Sequence, residues 1–208
     1  MSESPGSGQP SADELRDAAA VIAEGEIVAY PTDTLYGLAV DPRQEHAVER
    51  LCHLKQRMSG SGLPLIAGSL NQLESTLGSM PALGRRLAVR FWPGPLTLVF
   101  MPTVKLAAAV HAGDGSLAVR VPSSKIARTL AEVVGHPVTA TSANRAGEAT
   151  PATGARLAET LGPELGAILG QRSSLEGDAS TIVDVRGPTP TLIRAGAIAW
   201  DRVLQSFR

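Results

Sequence analysis

The sequence predicts an α/β fold with a mixed sheet, in one domain from about residue 11 to the end of the chain. Three observations predict it. Short apolar runs closed by Pro or Gly alternate with segments of helical period. The 208 residues, 43% hydrophobic and 19% charged, suit one ordinary globular domain or at most two small ones. No internal repeat and no Gly-x-Gly-x-x-Gly or Walker loop breaks the alternation.

Residues 1–10 are mostly Ser, Gly and Pro with one Glu, and read as a disordered leader. Ser11 and Glu14 fit a capping box; Leu15, Ala18, Ala19 and Ile22 follow at helical spacing, with Gly25 as the stop. Residues 27–30 read as a strand feeding a polar turn after Pro31. A helix over about 45–55 turns Val48, Leu51, Cys52 and Leu54 inward, and 63–67 reads as a strand. Helices over 71–77 and 81–91 follow, the second ended by Trp-Pro-Gly-Pro. Segments 96–101 and 117–121 have the alternating look of strands, with a loop or short helix over 106–115 between them. Beyond them come a helix over 124–134, a buried strand over 138–141 and a helix over 154–161. Short strands at 167–169, 181–185 and 191–193 precede a terminal helix over 198–207.

Lys plus Arg total 19 and Asp plus Glu total 20, a net charge of −1 that argues against a general nucleic-acid coat but not against a local basic cleft. Three Phe, two Trp and two Tyr leave little for base stacking, so the core is aliphatic. The sole cysteine, Cys52, excludes an internal disulfide framework and a Cys-rich zinc site, and on its apolar stripe it reads as core. His46, His53, His111 and His136 form neither His-x-x-x-His nor His-Glu-x-x-His, so no dedicated metal site is expected. There is no Gly-x-Ser-x-Gly elbow. No apolar stretch approaches the ~20 residues of a membrane span, and no signal-peptide core follows Met1. The expectation is a cytoplasmic protein without membrane contact.

Four polar clusters stand at the ends of apolar runs. Pro31-Thr-Asp-Thr-Leu-Tyr-Gly37 sets two hydroxyls, a carboxylate and a phenol after a buried strand, where turns often present ligand groups; by itself it reads as a turn bonded to its own backbone. Lys55 and Arg57 close a helix, where cations complement the dipole or clamp an anion. Thr141-Ser-Ala-Asn144 suits either a cap or a neutral grip on a carboxylate, hydroxyl or ribose. Alternation puts Ser116, Ala118 and Arg120 on one strand face, and Arg194 ends another apolar run. Such arginines take an anionic partner, from the protein or from a ligand.

Taken together, the clusters resemble the YrdC/TsaC family of L-threonylcarbamoyladenylate synthases, short single-domain type. The resemblance runs from about Leu15 to Arg194. It rests on Tyr30-Pro-Thr-Asp-Thr-Leu-Tyr-Gly-Leu38, Lys55-x-Arg57, Pro64-Leu65, Trp92-Pro-Gly-Pro-Leu-Thr97, Val119-Arg-Val-Pro122, Thr141-Ser-Ala-Asn144, Ser180-Thr-Ile-Val-Asp184 and Leu192-Ile-Arg-x-Gly196. Each piece is weak, and their shared order makes the resemblance strong.

It implies a twisted, open mixed sheet with flanking helices around a concave cavity (YrdC-like, RibB-like). It also implies synthesis of threonylcarbamoyl-AMP and pyrophosphate from L-threonine, bicarbonate and ATP, for modification of adenosine 37 in tRNA. Carried over residue by residue, Lys55 and Arg57 are the catalytic cations on the phosphates. Thr32, Thr34, Tyr36, Arg120, Ser142 and Ser180 hold threonine, while Ser116, Asn144 and Arg194 join the two cations on the nucleotide. Mg²⁺ arrives with ATP and needs no protein cage. Downstream partners are the enzymes that transfer threonylcarbamoyl to tRNA, and a direct tRNA contact is admitted.

Three departures from the family pattern stand out: the Gly-rich segment 58–63, Gly68 where many members carry a polar side chain such as His, and Ala146 where Ser before Gly is common. A second reading is a non-catalytic YrdC-like RNA-binding paralogue. A third is the carbamoyl-adenylate domain of larger carbamoyltransferases, which the length of 208 residues disfavours.

Overall fold

The computed structural model describes residues 9–33, 35–56, 62–170 and 178–207. Most of the expected leader lies outside that set. The first helix, α1 (Ala12–Ala23), begins with the predicted capping box: Glu14 N–H donates to Ser11 Oγ and Ser11 N–H to the Glu14 carboxylate. The chain continues through β1 (Val28–Pro31), β2 (Tyr36–Ala39), α2 (Glu45–Leu54), β3 (Leu65–Ile66), α3 (Leu70–Leu77), α4 (Ala82–Phe91), β4 (Leu96–Phe100) and β5 (Leu117–Arg120). It ends with α5 (Lys125–Val134), β6 (Val138–Thr139), β7 (Thr141–Ser142), α6 (Gly154–Leu161), β8 (Ala167–Ile168), β9 (Thr181–Asp184), β10 (Thr191–Arg194) and α7 (Trp200–Gln205). The 106–115 segment carries a single 3₁₀ turn, Ala108–Val110.

Two corrections concern the sheets. The strands form not one sheet but two mixed ones, ordered β7-β2-β1-β8 and β10-β9-β4-β5-β3-β6. The run expected as one strand over 138–141 breaks at Ala140, so β6 edges the larger sheet and β7 the smaller. Thr139 pins the junction, since its hydroxyl donates to Leu38 O and accepts Val40 N–H while Ala140 N–H donates to Pro64 O. The turn after Pro31 also leads into a further strand, β2, which folds back on β1 with Tyr30 opposite Gly37. Gly37 eases that close approach: a Cβ would press on the Tyr30 ring at 3.0 Å.

Each face of the larger sheet has a distinct role. Val119, Leu98 and Val183 lie side by side and fully buried beneath α4, whose Gly84 approaches Val185. Burying such aliphatic side chains supplies about 1.5–3 kcal/mol each. The opposite face carries Arg120, Thr97, Ile182 and Arg194 across β5, β4, β9 and β10. A second core cluster joins α1 and α5 through Leu15, Ile22, Leu130 and Ala131. Cys52, expected inward, is only partly buried against the main cluster. No helix among the described residues is long and apolar enough to cross a membrane.

Candidate active site

The change of sheet at Ala140 sets the site, because it lays β7 beside β2 with Ser142 opposite Gly37. Lys55 is the residue that caps α2, and its ammonium reaches this edge. Nζ lies 2.8 Å from Ser142 O, 3.2 Å from Ser142 Oγ, 2.7 Å from Asn144 O and 2.6 Å from Asn144 Oδ1. Residues 87 and 89 positions apart in the chain thus form one charge-assisted network. The cation is therefore more than a complement to the helix dipole. Arg57, its expected companion, lies outside the described residues, as does Thr34.

A pocket of about 150 Å³ adjoins this network, lined in part by Thr32, Tyr36, Gly37, Arg120, Ala140 and Ser142. Four of the expected threonine contacts therefore share one hollow. Their local bonding differs. Thr32 Oγ1 donates to Leu35 O at 2.5 Å, the turn role its sequence context suggests. The Tyr36 hydroxyl donates to Gly170 O at 2.9 Å, and burial pushes this phenol up from its ordinary value. Arg120 is different: its guanidinium approaches Asp33 Oδ2 at 3.6 Å while Ser123 N–H donates to the same carboxylate.

Ser180 and Arg194 stand together farther along the open face. Arg194 Nη2 donates to Ser180 O at 2.7 Å, and the Ser180 and Thr97 hydroxyls are 2.8 Å apart. With strands about 4.8 Å apart, the three steps from β5 to β10 set Arg120 and Arg194 roughly 14 Å apart. Ser116 faces the same side from the far end of β5, but its hydroxyl donates to Asp114 Oδ1 at 2.6 Å. Hydrogen bonds from Ser116 and Arg186 hold the Asp114 carboxyl well below the usual range.

Sequence reasoning missed Thr97 and undervalued Asp33. Thr97 carried a signal, a hydroxyl alternating with Leu96 and Leu98 at the close of Trp92-Pro-Gly-Pro-Leu-Thr97. Nothing local marks Asp33, because its partners are 87 and 90 residues away. His111 caps its own loop, with ring nitrogens 3.3 Å from Leu106 N and 3.0 Å from Gly115 O. Gly68 also has a structural reason: a Cβ there would stand 2.9 Å from Arg128 O on α5, so no side chain fits. Of the Gly-rich segment, residues 58–61 lie outside the described set. Among the described residues, no group of three or more His, Cys, Asp or Glu side chains suits a metal ion.

Comparison with known proteins gives a consistent result. The model of the Sua5_yciO_yrdC family, described as "Telomere recombination", matches residues 20–196. A threonylcarbamoyl-AMP synthase of Pyrococcus abyssi is 34% identical over 189 residues, covering 91% of this chain and 56% of that protein. The chain thus spans little more than half the length of that relative. A threonylcarbamoyl-AMP synthase of Vibrio vulnificus is 35% identical over 184 residues, covering 88% of this chain and 98% of that one. The crystal structure of P. abyssi Sua5 complexed with L-threonine superposes with a TM-score of 0.83 at 34% identity, covering 92% of this chain and 56% of that one.

Proposed function

Because the chain belongs to the Sua5/YciO/YrdC family, we propose that it is an L-threonylcarbamoyl-AMP synthase, a nucleotidyltransferase that consumes L-threonine, bicarbonate and ATP. The observation that carries this reading is the meeting of Arg120 and Ser142 in one hollow, to which Ser142 joins the Lys55–Asn144 network. The relative solved with L-threonine supports the amino-acid half of the assignment.

The chemistry asks for what this arrangement offers. The threonine amine and bicarbonate form a carbamate, with loss of water. A carbamate oxygen then bonds to the α-phosphorus of ATP as the bond to the β-phosphate bridging oxygen breaks, releasing pyrophosphate. Both reactants are anions, so the protein must offset their repulsion and align them; no protein nucleophile is needed. Arg120 takes the threonine carboxylate, with Thr32, Tyr36 and Ser142 around the amino acid. Lys55 neutralises charge at the phosphates, with Arg57 assigned beside it and Thr34 beside threonine by their motif positions. Ser180 stands between the two halves, and Asn144, Ser116 and Arg194 serve the nucleotide. Mg²⁺ enters as MgATP. The product passes to tRNA threonylcarbamoyl-transfer enzymes in the cytoplasm.

The test is pyrophosphate release by the purified chain with MgATP. Release requiring both threonine and bicarbonate supports the reading; ATP turnover indifferent to threonine overturns it.

A further inference from the structure

A second cationic feature lies on the opposite side of the larger sheet from Arg120. There α4 and α7 border a groove of about 530 Å³, lined by Arg86, Val89, Arg90 and Phe91 from one helix and Arg202, Gln205 and Ser206 from the other. Each helix contributes side chains at i, i+3 and i+4, so both present one continuous face. Val89 is 74% exposed, which leaves the groove open to solvent.

Charge marks this groove. Arg85, one residue away, pairs with Glu74, but Arg86, Arg90 and Arg202 form no ion pair or hydrogen bond among the described residues. Arg86 instead stacks over the Phe207 ring, 5.2 Å from its centroid. The chain has no Asp or Glu between Glu74 and Asp114, so apart from the Arg85–Glu74 pair α4 brings cations without acidic neighbours in its own segment. Both helices end here, and their C-terminal carbonyls carry about half a negative charge each. Three guanidiniums exceed that even with Asp201 of the first turn of α7 counted against them, and the groove stays net positive. Planar forks match phosphate oxygens, and five of the seven lining residues are cationic or polar, Val89 and Phe91 being the exceptions.

We propose that the α4–α7 groove is a second anion site, separate from the candidate active site, for a ligand bearing several phosphate groups. Two sources share that chemistry, a free oligophosphate and the backbone of an RNA strand. Guanidiniums spread over two helices suit an extended ligand.

The experiment compares the wild-type chain with the variant Arg86→Gln/Arg90→Gln/Arg202→Gln. Its probes are a labelled tRNA transcript followed by anisotropy and inorganic triphosphate followed by calorimetry. The substitutions keep helix formers on exposed faces, and an unchanged thermal midpoint certifies folding. The expected result is at least a tenfold loss of affinity for one probe. For tRNA, the log–log salt slope should also become shallower by about 2, as three lost phosphate contacts imply. Loss of one triphosphate equivalent identifies a free oligophosphate site; loss confined to tRNA identifies a strand. Equal binding of both probes by variant and wild type overturns the proposal, as does polyglutamate binding as tightly as tRNA. If the triple variant does not fold, Arg90→Gln/Arg202→Gln is read the same way.

Discussion

Arg120 Nη2 stands 3.6 Å from Asp33 Oδ2, and this guanidinium, only 16% exposed, donates no hydrogen bond among the described residues. That separation is too long for a hydrogen bond but short enough for charge compensation. Asp33 therefore makes the largely buried cation tolerable without using its donors, and the proposed grip on the threonine carboxylate rests on that. Arg120→Ala should raise the threonine KM by about ten- to a hundredfold, roughly 1.4–2.8 kcal/mol, with the ATP KM little changed. Arg120→Lys should not restore it, because a point charge lacks the paired donors. Steady-state pyrophosphate release measured against each substrate checks both.

Lys55→Met should lower threonine-dependent pyrophosphate release by well over tenfold, since it removes the ammonium bonded to the Ser142–Asn144 turn. It also strips a charged donor from four oxygens, so stability should fall by about 1–3 kcal/mol. Denaturant unfolding separates the two effects.

Tyr36→Phe isolates a structural role. The hydroxyl is committed to Gly170 O, so its loss should cost about 1 kcal/mol of stability and change the threonine KM only a few-fold. A tenfold rise in KM at unchanged stability would instead place the phenol on the substrate.

Asp41 gives a pH prediction away from the site. Only 2% exposed, it accepts from Arg43, and His136 Nε2 lies 3.4 Å away. Burial alone would raise its carboxyl, but the His136 and Arg43 contacts outweigh that and hold it well below the usual range. A lowered folded value means the stabilisation is complete above the unfolded value near 4 and fades as pH falls through the folded one. Asp41→Asn should cost about 2 kcal/mol at neutral pH and flatten the loss of stability below about pH 4. Chemical unfolding at a series of pH values measures it.

Much of this molecule is written locally. The capping box at Ser11 and Glu14, the helical stripe of α2 and the alternation in β4 and β5 are short-range signals, and each became the element it predicts. Helix ends were harder: α7 spans Trp200–Gln205 inside the broader stretch expected. The strand β2 was hidden because Tyr36–Ala39 follows a turn too closely for its pattern to stand apart.

The site divides along the same line. The family resemblance singled out Lys55, Arg120, Ser142, Asn144, Ser180 and Arg194, because motifs in a shared order are legible without coordinates. Which of them meet was decided only by folding. The break at Ala140 moves Ser142 to the smaller sheet and onto Lys55, and a pairing register sets Arg120, Thr97 and Arg194 in one row. Those contacts join positions tens of residues apart. Local sequence encodes dihedral preference and burial period, whereas a long-range register is fixed by the packing of the whole core.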